Sequence, residues 1–219
     1  MFAPWGKREL NLFGWPLLAA AVLLVWLGCP WCWLAIVPAV LLALLLYFFR
    51  DPPRRVPDEP DAIVAPADGT VVEVTQLPHY DFLDGPAVRI GIFLSVFNVH
   101  INRAPCAGRV VETHYQPGAF LNAMNPASAE RNEFMWIGFE EPAAPHRRFA
   151  VRQISGLIAR RIVCTLQPGM AVTRGEKFGM IKLGSRTELM LPAGDVEVVV
   201  RPGDKVRAGS WIVARWIPN

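Results

Sequence analysis

Charge is scarce and unevenly placed in this chain. Only 19% of its 219 residues are Asp, Glu, Lys or Arg, and none of these falls between Leu12 and Phe49. Up to Arg55 there are five basic residues (Lys7, Arg8, Arg50, Arg54, Arg55) against two acidic ones (Glu9, Asp51), so this segment carries the whole net charge of +3. The rest is neutral, which removes any charge-based reason to bind nucleic acid. A hydrophobic fraction of 53% excludes a disordered polymer. Histidine is limited to His79, His100, His114 and His146. His79, His114 and His146 lack ligand-like spacing and read as surface or loop residues, so neither a metal nor a diffusible cofactor is expected.

The charge-free run is 38 residues long. That is too long for one spanning helix of about 20 residues and suits two short ones. Gly28-Cys29-Pro30-Trp31-Cys32-Trp33 interrupts it, since Gly and Pro favour a turn. Residues 1–50 are therefore expected to form a membrane hairpin of two short transmembrane helices, Leu12–Leu27 and Trp33–Phe49. Basic residues flank both ends and the turn has none, which places both ends and everything after residue 50 in the cytoplasm, on a cell (inner) membrane. Trp5, Trp15, Trp26, Trp31 and Trp33 suit interfacial anchors. A cleaved signal peptide is disfavoured, because its apolar core runs only about 7–15 residues. A re-entrant hairpin stays open. Cys29 and Cys32 have redox spacing but stand in a membrane turn, away from any βαβ pattern. Cys106 and Cys164 fall on the cytoplasmic side, where thiols stay reduced, so no structural disulfide is expected.

Residues 51–60, with four prolines and five charges, read as an extended linker. Beyond it, the predicted class of residues 61–219 is mainly β, a compact sandwich or barrel-like domain. Thr70–Thr75, Ala87–Leu94, Arg109–Thr113, Phe149–Ile154, Val196–Val200 and Trp211–Trp216 are short, β-branched and bounded by Gly, Pro or Asp. Only Ile154–Cys164 and parts of Ala119–Arg131 have any helical character. Gln167-Pro-Gly-Met-Ala-Val-Thr-Arg-Gly and Arg201-Pro-Gly-Asp-Lys-Val-Arg-Ala-Gly echo one another 34 residues apart. They suggest two similar hairpin turns, as in lipoyl-carrier domains. Neither copy has the lysine that a carrier modifies at its turn.

Three further stretches are each unremarkable alone. Asp68-Gly69, after Ala65-Pro66-Ala67, is a turn. His100, in Phe97-Asn-Val-His-Ile-Asn-Arg103-Ala-Pro105, reads as a core histidine. Gly184-Ser185-Arg186, between Phe178–Lys182 and Leu189–Pro192, reads as a hairpin turn. Together they supply the residue set of an activated serine, in which His takes the hydroxyl proton and Asp holds the imidazole. An α/β-hydrolase is disfavoured: its elbow wants Gly where Thr187 stands, and its order is Ser, Asp, His. A membrane serine hydrolase using Asp68, His100 and Ser185, or a membrane-tethered lipoyl-like binding module, remain alternatives.

Phe48-Phe-Arg-Asp-Pro, Ala65-Pro-Ala-Asp-Gly, Phe97-Asn-Val-His-Ile-Asn-Arg-Ala-Pro and Lys177-Phe-Gly-Met-Ile-Lys-Leu-Gly-Ser-Arg-Thr-Glu, with Leu191-Pro, resemble the phosphatidylserine decarboxylase proenzymes in their short bacterial and archaeal form. The resemblance implies autocatalytic cleavage between Gly184 and Ser185, giving chains 1–184 and 185–219 that stay together as a heterodimer. It implies that Ser185 becomes a covalent pyruvoyl group, with His100 and Asp68 as the other triad members. The implied reaction is decarboxylation of phosphatidylserine, a phospholipid substrate held in the membrane. A homo-oligomer is plausible by the same analogy. Two departures stand out: longer bacterial members have Leu-Gly-Ser-Thr where Arg186 stands here, and a second histidine where Arg103 stands. Arg103 or Arg186 could pair with the headgroup phosphate or carboxylate. Arg50, Arg54 and Arg55 would face the anionic leaflet, each contributing about 1 kcal/mol.

Overall fold

The computed structural model describes residues 1–28, 30–121, 128–142, 147–156, 161–182 and 184–218. The chain divides into two compact units, Met1–Pro53 and Arg54–Asn219.

The first unit holds two helical runs, Pro4–Trp26 and Trp31–Phe48, both long and apolar enough to cross a membrane. At 1.5 Å per residue they reach roughly 35 and 27 Å, against a hydrocarbon layer of about 30 Å. Their regular α segments are α1 (Trp15–Trp26) and α2 (Ile36–Phe48). The first run begins earlier than the apolar stretch alone suggests, because Lys7, Arg8 and Glu9 are already helical. No residue of α1 is buried. A helix that is apolar on every side has no reason to face water. The two ends of the unit are tied together: Ala3 N–H donates to Phe49 O (2.8 Å) and Asp51 N–H to Met1 O (2.7 Å). Cys29 lies outside the described residues, so the Cys29/Cys32 spacing has no structural counterpart here.

The second unit is mainly β, as the alternating β-branched segments require. Its strands are β1 (Ala62–Val64), β2 (Gly69–Tyr80), β3 (Gly85–Leu94), β4 (Ile101–Arg103), β5 (Gly108–Gln116), β6 (Phe134–Glu140), β7 (Arg148–Ile154), β8 (Ile162–Cys164), β9 (Ala171–Val172), β10 (Lys177–Ile181), β11 (Ser185–Pro192), β12 (Val196–Val198), β13 (Lys205–Val206) and β14 (Ile212–Trp216). Eight of them form one antiparallel sheet in the order β13-β2-β3-β11-β7-β6-β5-β9. Two three-stranded sheets accompany it, β1-β14-β12 and β4-β10-β8. Register breaks at Val71/Glu73 and Leu77/Tyr80 in β2 and at Val110/Glu112 in β5 mark bulges. Bulges bend and twist the strands that carry them, which curls the large sheet toward a half-barrel. Val71, Ile90, Ile92, Val110, Phe139, Phe149, Leu189 and Leu191 fill its inner side, with the Phe139 and Phe149 rings stacked 4.8 Å apart.

The Pro-Gly echo has a structural counterpart. Its two copies contain β9 and β13, the short strands that close opposite edges of the eight-stranded sheet. Their glycines, Gly169 and Gly203, take left-handed φ values of 92° and 101°. Of the two segments in which the sequence offered helix, the first differs and the second is helical in part. Ile154 ends β7 and Ile162–Cys164 is β8, with residues 157–160 outside the described set. In the other segment Ala119 bridges to Asn132 and only Ser128–Arg131 is helical (α3), with residues 122–127 also outside it. Short apolar runs do not distinguish helix from strand until a pairing partner is present.

Candidate active site

The site forms where two stretches of chain pass between the same two sheets. β3 pairs with β11 in the large sheet, and β4 pairs with β10 in a small one. Residues 95–100 lead from β3 to β4, and residues 182–184 lead from β10 to β11. The two connections therefore begin and end on the same pairs of strands. Ser185 is opposite Leu94 at one end, Met180 is opposite Ile101 at the other, and Ile181 N–H donates to His100 O (3.2 Å) between them. Gly184-Ser185-Arg186 is accordingly not a hairpin turn. β10 and β11 belong to different sheets, and the peptide bond between Gly184 and Ser185 stands at the switch.

His100 is fully buried and held at both ring nitrogens. Its Nδ1 lies 3.0 Å from Asn98 O, and its Nε2 accepts the Gly184 N–H at 3.3 Å. A nitrogen that accepts an N–H carries no proton, so the ring is neutral with its proton on Nδ1 and a lone pair turned toward residue 184. Asn98 is itself fixed, its Oδ1 accepting from the Ser95 N–H (2.9 Å) and Oγ (2.7 Å). Gly184 has φ +61°, and a Cβ added there would meet nothing within 4 Å. Glycine is needed at 184 for its left-handed backbone, not for space. Ser185 is fully buried at the start of β11, and its Oγ has no hydrogen-bond partner among the described residues.

The other predicted residues sit nearby with different partners. Asp68 Oδ2 accepts from Arg54 Nη2 at 2.6 Å and Oδ1 from the Ala208 N–H at 2.8 Å. The carboxylate thus anchors its own loop, and the hydrogen bond at His100 Nδ1 goes to Asn98 instead. Arg54, expected at the lipid surface, is largely buried on Asp68. Arg103 is buried, donates to Gly175 O (3.0 Å) and lays its stem along Gly209, joining the final glycines of the two Pro-Gly copies. Arg186 leaves β11 on the face opposite Ser185. There its Nη2 pairs with Glu73 Oε2 and its Nε with Glu188 Oε1 (2.9 Å). Glu73 also accepts from Arg89 Nε at 3.0 Å. Burial alone would raise the Glu73 pKa, but the hydrogen bonds from Arg89 and Arg186 outweigh it and hold the carboxyl at about 2.

On the Ser185 face, Asn102 Nδ2 donates to Thr187 Oγ1 (3.0 Å) and Gln153 Nε2 to Asn102 Oδ1 (2.8 Å). Asn102 also reaches Pro66 O at 3.3 Å, tying the Asp68 loop to β4. Sequence reasoning passed over Arg54, Asn102 and Gln153. The one available signal was a polar residue, Gln153, where the alternation of Phe149 and Val151 calls for an apolar one. Among the described residues no three His, Cys, Asp or Glu side chains gather to hold a metal ion. His79 pairs at the surface with Asp81 (3.2 Å), His114 lies near the Phe134 ring, and His146 is outside the described residues. Burial pushes both the Cys106 and Cys164 thiols up, so neither is a ready nucleophile.

Residues 41–214 match the family model described as phosphatidylserine decarboxylase. The chain belongs to that family. It is 49% identical over 216 residues to a phosphatidylserine decarboxylase proenzyme of Rhodopirellula baltica, covering 98% of this chain and 88% of the relative. The proenzyme of Chlorobium chlorochromatii is 48% identical over 84% of each chain. That of Carboxydothermus hydrogenoformans is 42% identical over 92% of this chain and 93% of its own. The family match takes in Asp68, both crossings and β11. Of the second transmembrane-length helix, Trp31–Phe48, the match takes in residues 41–48; α1 lies before it.

Proposed function

We propose that this chain converts phosphatidylserine to phosphatidylethanolamine and CO2, after cutting itself between Gly184 and Ser185 to form a pyruvoyl group from the serine. The observation that carries the reading is the setting of that one peptide bond. It joins a left-handed glycine, whose N–H donates to His100 Nε2, to a buried serine whose hydroxyl lacks a partner among the described residues. A buried, unpartnered hydroxyl costs about 1–3 kcal/mol, an expense that structure alone gives no reason to keep.

In the proposed processing, His100 Nε2 accepts the Ser185 hydroxyl proton and Oγ attacks the Gly184 carbonyl carbon. The C–N bond breaks, the amine of residue 185 takes the proton, and Gly184 becomes esterified to the serine side chain. Elimination across Cα–Cβ of residue 185 then frees Gly184 as a carboxylate. Addition of water and loss of ammonia leave a ketone at residue 185. When present, that ketone supplies the electron sink that ordinary side chains lack, joining the substrate amine and taking up the electron pair released with CO2. His100, whose imidazole changes charge near neutral pH, is the general acid that returns a proton to the substrate α-carbon. Asp68 serves as a positioning residue: it fixes its loop through Arg54 and Ala208 while Asn102 ties that loop to β4.

Chains 1–184 and 185–219 remain a heterodimer in this reading. β11 has hydrogen-bonded strands on both sides, and β14 lies between β1 and β12. The lipid substrate stays in the bilayer, and the two apolar helices keep the enzyme there. The basic flanks favour the inner membrane with the β unit in the cytoplasm.

Intact-mass measurement of purified, active protein tests the reading. Two fragments are expected, the smaller beginning with a residue lighter than serine that reacts with a carbonyl reagent. CO2 release from phosphatidylserine, but not from free serine, is expected alongside. Active protein that is one uncut chain with serine at 185 would overturn the proposal.

A further inference from the structure

The inner side of β11 and β7 gathers three buried polar atoms without partners: Ser185 Oγ, Ser155 Oγ and Gln153 Oε1. Their positions are related by register. β7 and β11 are antiparallel, with Thr187 opposite Gln153 and Arg186 opposite Ile154. Continued one residue past the end of β7, the same register brings Ser155 level with Ser185. Directly opposed residues in such a ladder share a face, with Cα atoms about 4.5–5.5 Å apart. The face is the inner one, because Leu189 and Val151, which have the same parity, belong to the hydrophobic core.

Ser155 is also held with unusual firmness for a residue just past a strand. Its N–H donates to Glu133 O (2.9 Å), and its carbonyl accepts from Asn132 Nδ2 (2.8 Å). Both backbone groups are satisfied while the fully buried hydroxyl has no partner. Gln153 shows the same split: its Nε2 is bonded to Asn102, and its Oε1 is not bonded at all. A fixed backbone carrying an unsatisfied hydroxyl on the face that residue 185 shares has the form of a donor kept ready for a group not yet present.

We propose that Ser155 is a further catalytic residue of this site, whose hydroxyl donates a hydrogen bond to the carbonyl group formed at residue 185 and makes its carbon more electrophilic toward the substrate amine. The inference rests on the processing reading given above. No proton is transferred: the Ser155 O–H bond stays intact and only polarises the acceptor.

The test compares wild type, Ser155→Ala and Ser155→Thr as full-length protein in detergent. Each is scored for cutting, for total carbonyl content, for the rate of labelling by an aminooxy reagent, and for kcat and KM with phosphatidylserine. Ser155→Ala is expected to cut as wild type does and to carry the same carbonyl content. Its labelling rate and its kcat should both fall about 10-fold or more. Removing an unpartnered buried hydroxyl should leave the melting temperature equal or higher, the opposite of what a structural role would give. Ser155→Thr, which keeps a hydroxyl, should recover both rates. Unchanged labelling and kcat in Ser155→Ala overturn the proposal, as does an uncut Ser155→Ala chain, since the hydroxyl would then act before the carbonyl exists. A wild type that is itself uncut and free of carbonyl overturns the processing reading as well; a cut, carbonyl-bearing wild type confines the failure to Ser155.

Discussion

Ser185 and Arg186 are consecutive in β11, yet they enter opposite regimes. Successive side chains of a strand point to opposite faces. On the outer face Arg186 meets Glu73 and Glu188, and Glu73 also takes Arg89, so the buried charges are paired several times over. On the inner face Ser185, Ser155 and Gln153 each leave a buried polar atom unanswered. The sheet can carry that cost because β11 is paired along its whole length with β3 and over Arg186–Met190 with β7. The comparison separates two uses of buried polarity: complete pairing holds the strand in place, and incomplete pairing leaves atoms available for chemistry.

The largest effect is expected on the inner face. Ser185→Ala removes the nucleophile and should abolish fragment formation, at least about 10³-fold by gel or mass analysis. His100→Ala should slow cutting by about 10²–10⁴-fold. Normal cutting in either variant would erase the contrast between the faces. On the outer face the expected effect is on stability. Arg186→Met removes the partner that Glu73 and Glu188 share, leaving Glu73 to Arg89 and the buried Glu188 to Arg152 at 3.6 Å, and should cost about 3 kcal/mol in urea unfolding. A loss below about 1 kcal/mol would show that the ion-pair cluster is incidental. Gly91→Ala should cost about 1–3 kcal/mol in the same assay, since the new Cβ would lie 2.7 Å from Arg186 Nη2 and 3.0 Å from its Cζ.

The smallest expected effect is an acid limb. Glu73 is held at about 2, below its ordinary 4.5, so its ionised form is favoured by folding. Its contribution is present in full above about pH 4.5 and is lost as pH falls toward 2. Glu73→Gln should flatten the stability profile across that window, and an unchanged acid limb would point to other carboxylates.

Much was legible in the chain itself. A 38-residue stretch without charge is enough to predict two long apolar helices, and β-branched runs between Gly, Pro and Asp are enough to predict strands. The motif segments around Asp68, His100 and Gly184-Ser185 were likewise visible as residue types. Their partners were not. Residues 183–188 looked like a hairpin turn because Phe178–Lys182 and Leu189–Pro192 are both strand-like and close in sequence. Only assembly sent them to different sheets. Arg54 looked like a membrane anchor until burial gave it Asp68, and nothing in the run Gln153-Ile-Ser155 announced that Ser155 would come level with Ser185. Hydropathy and turn chemistry act over a few residues and can be read locally. Strand pairing joins residues tens of positions apart through the burial of a shared face, so partner and register exist only once the whole sheet has formed.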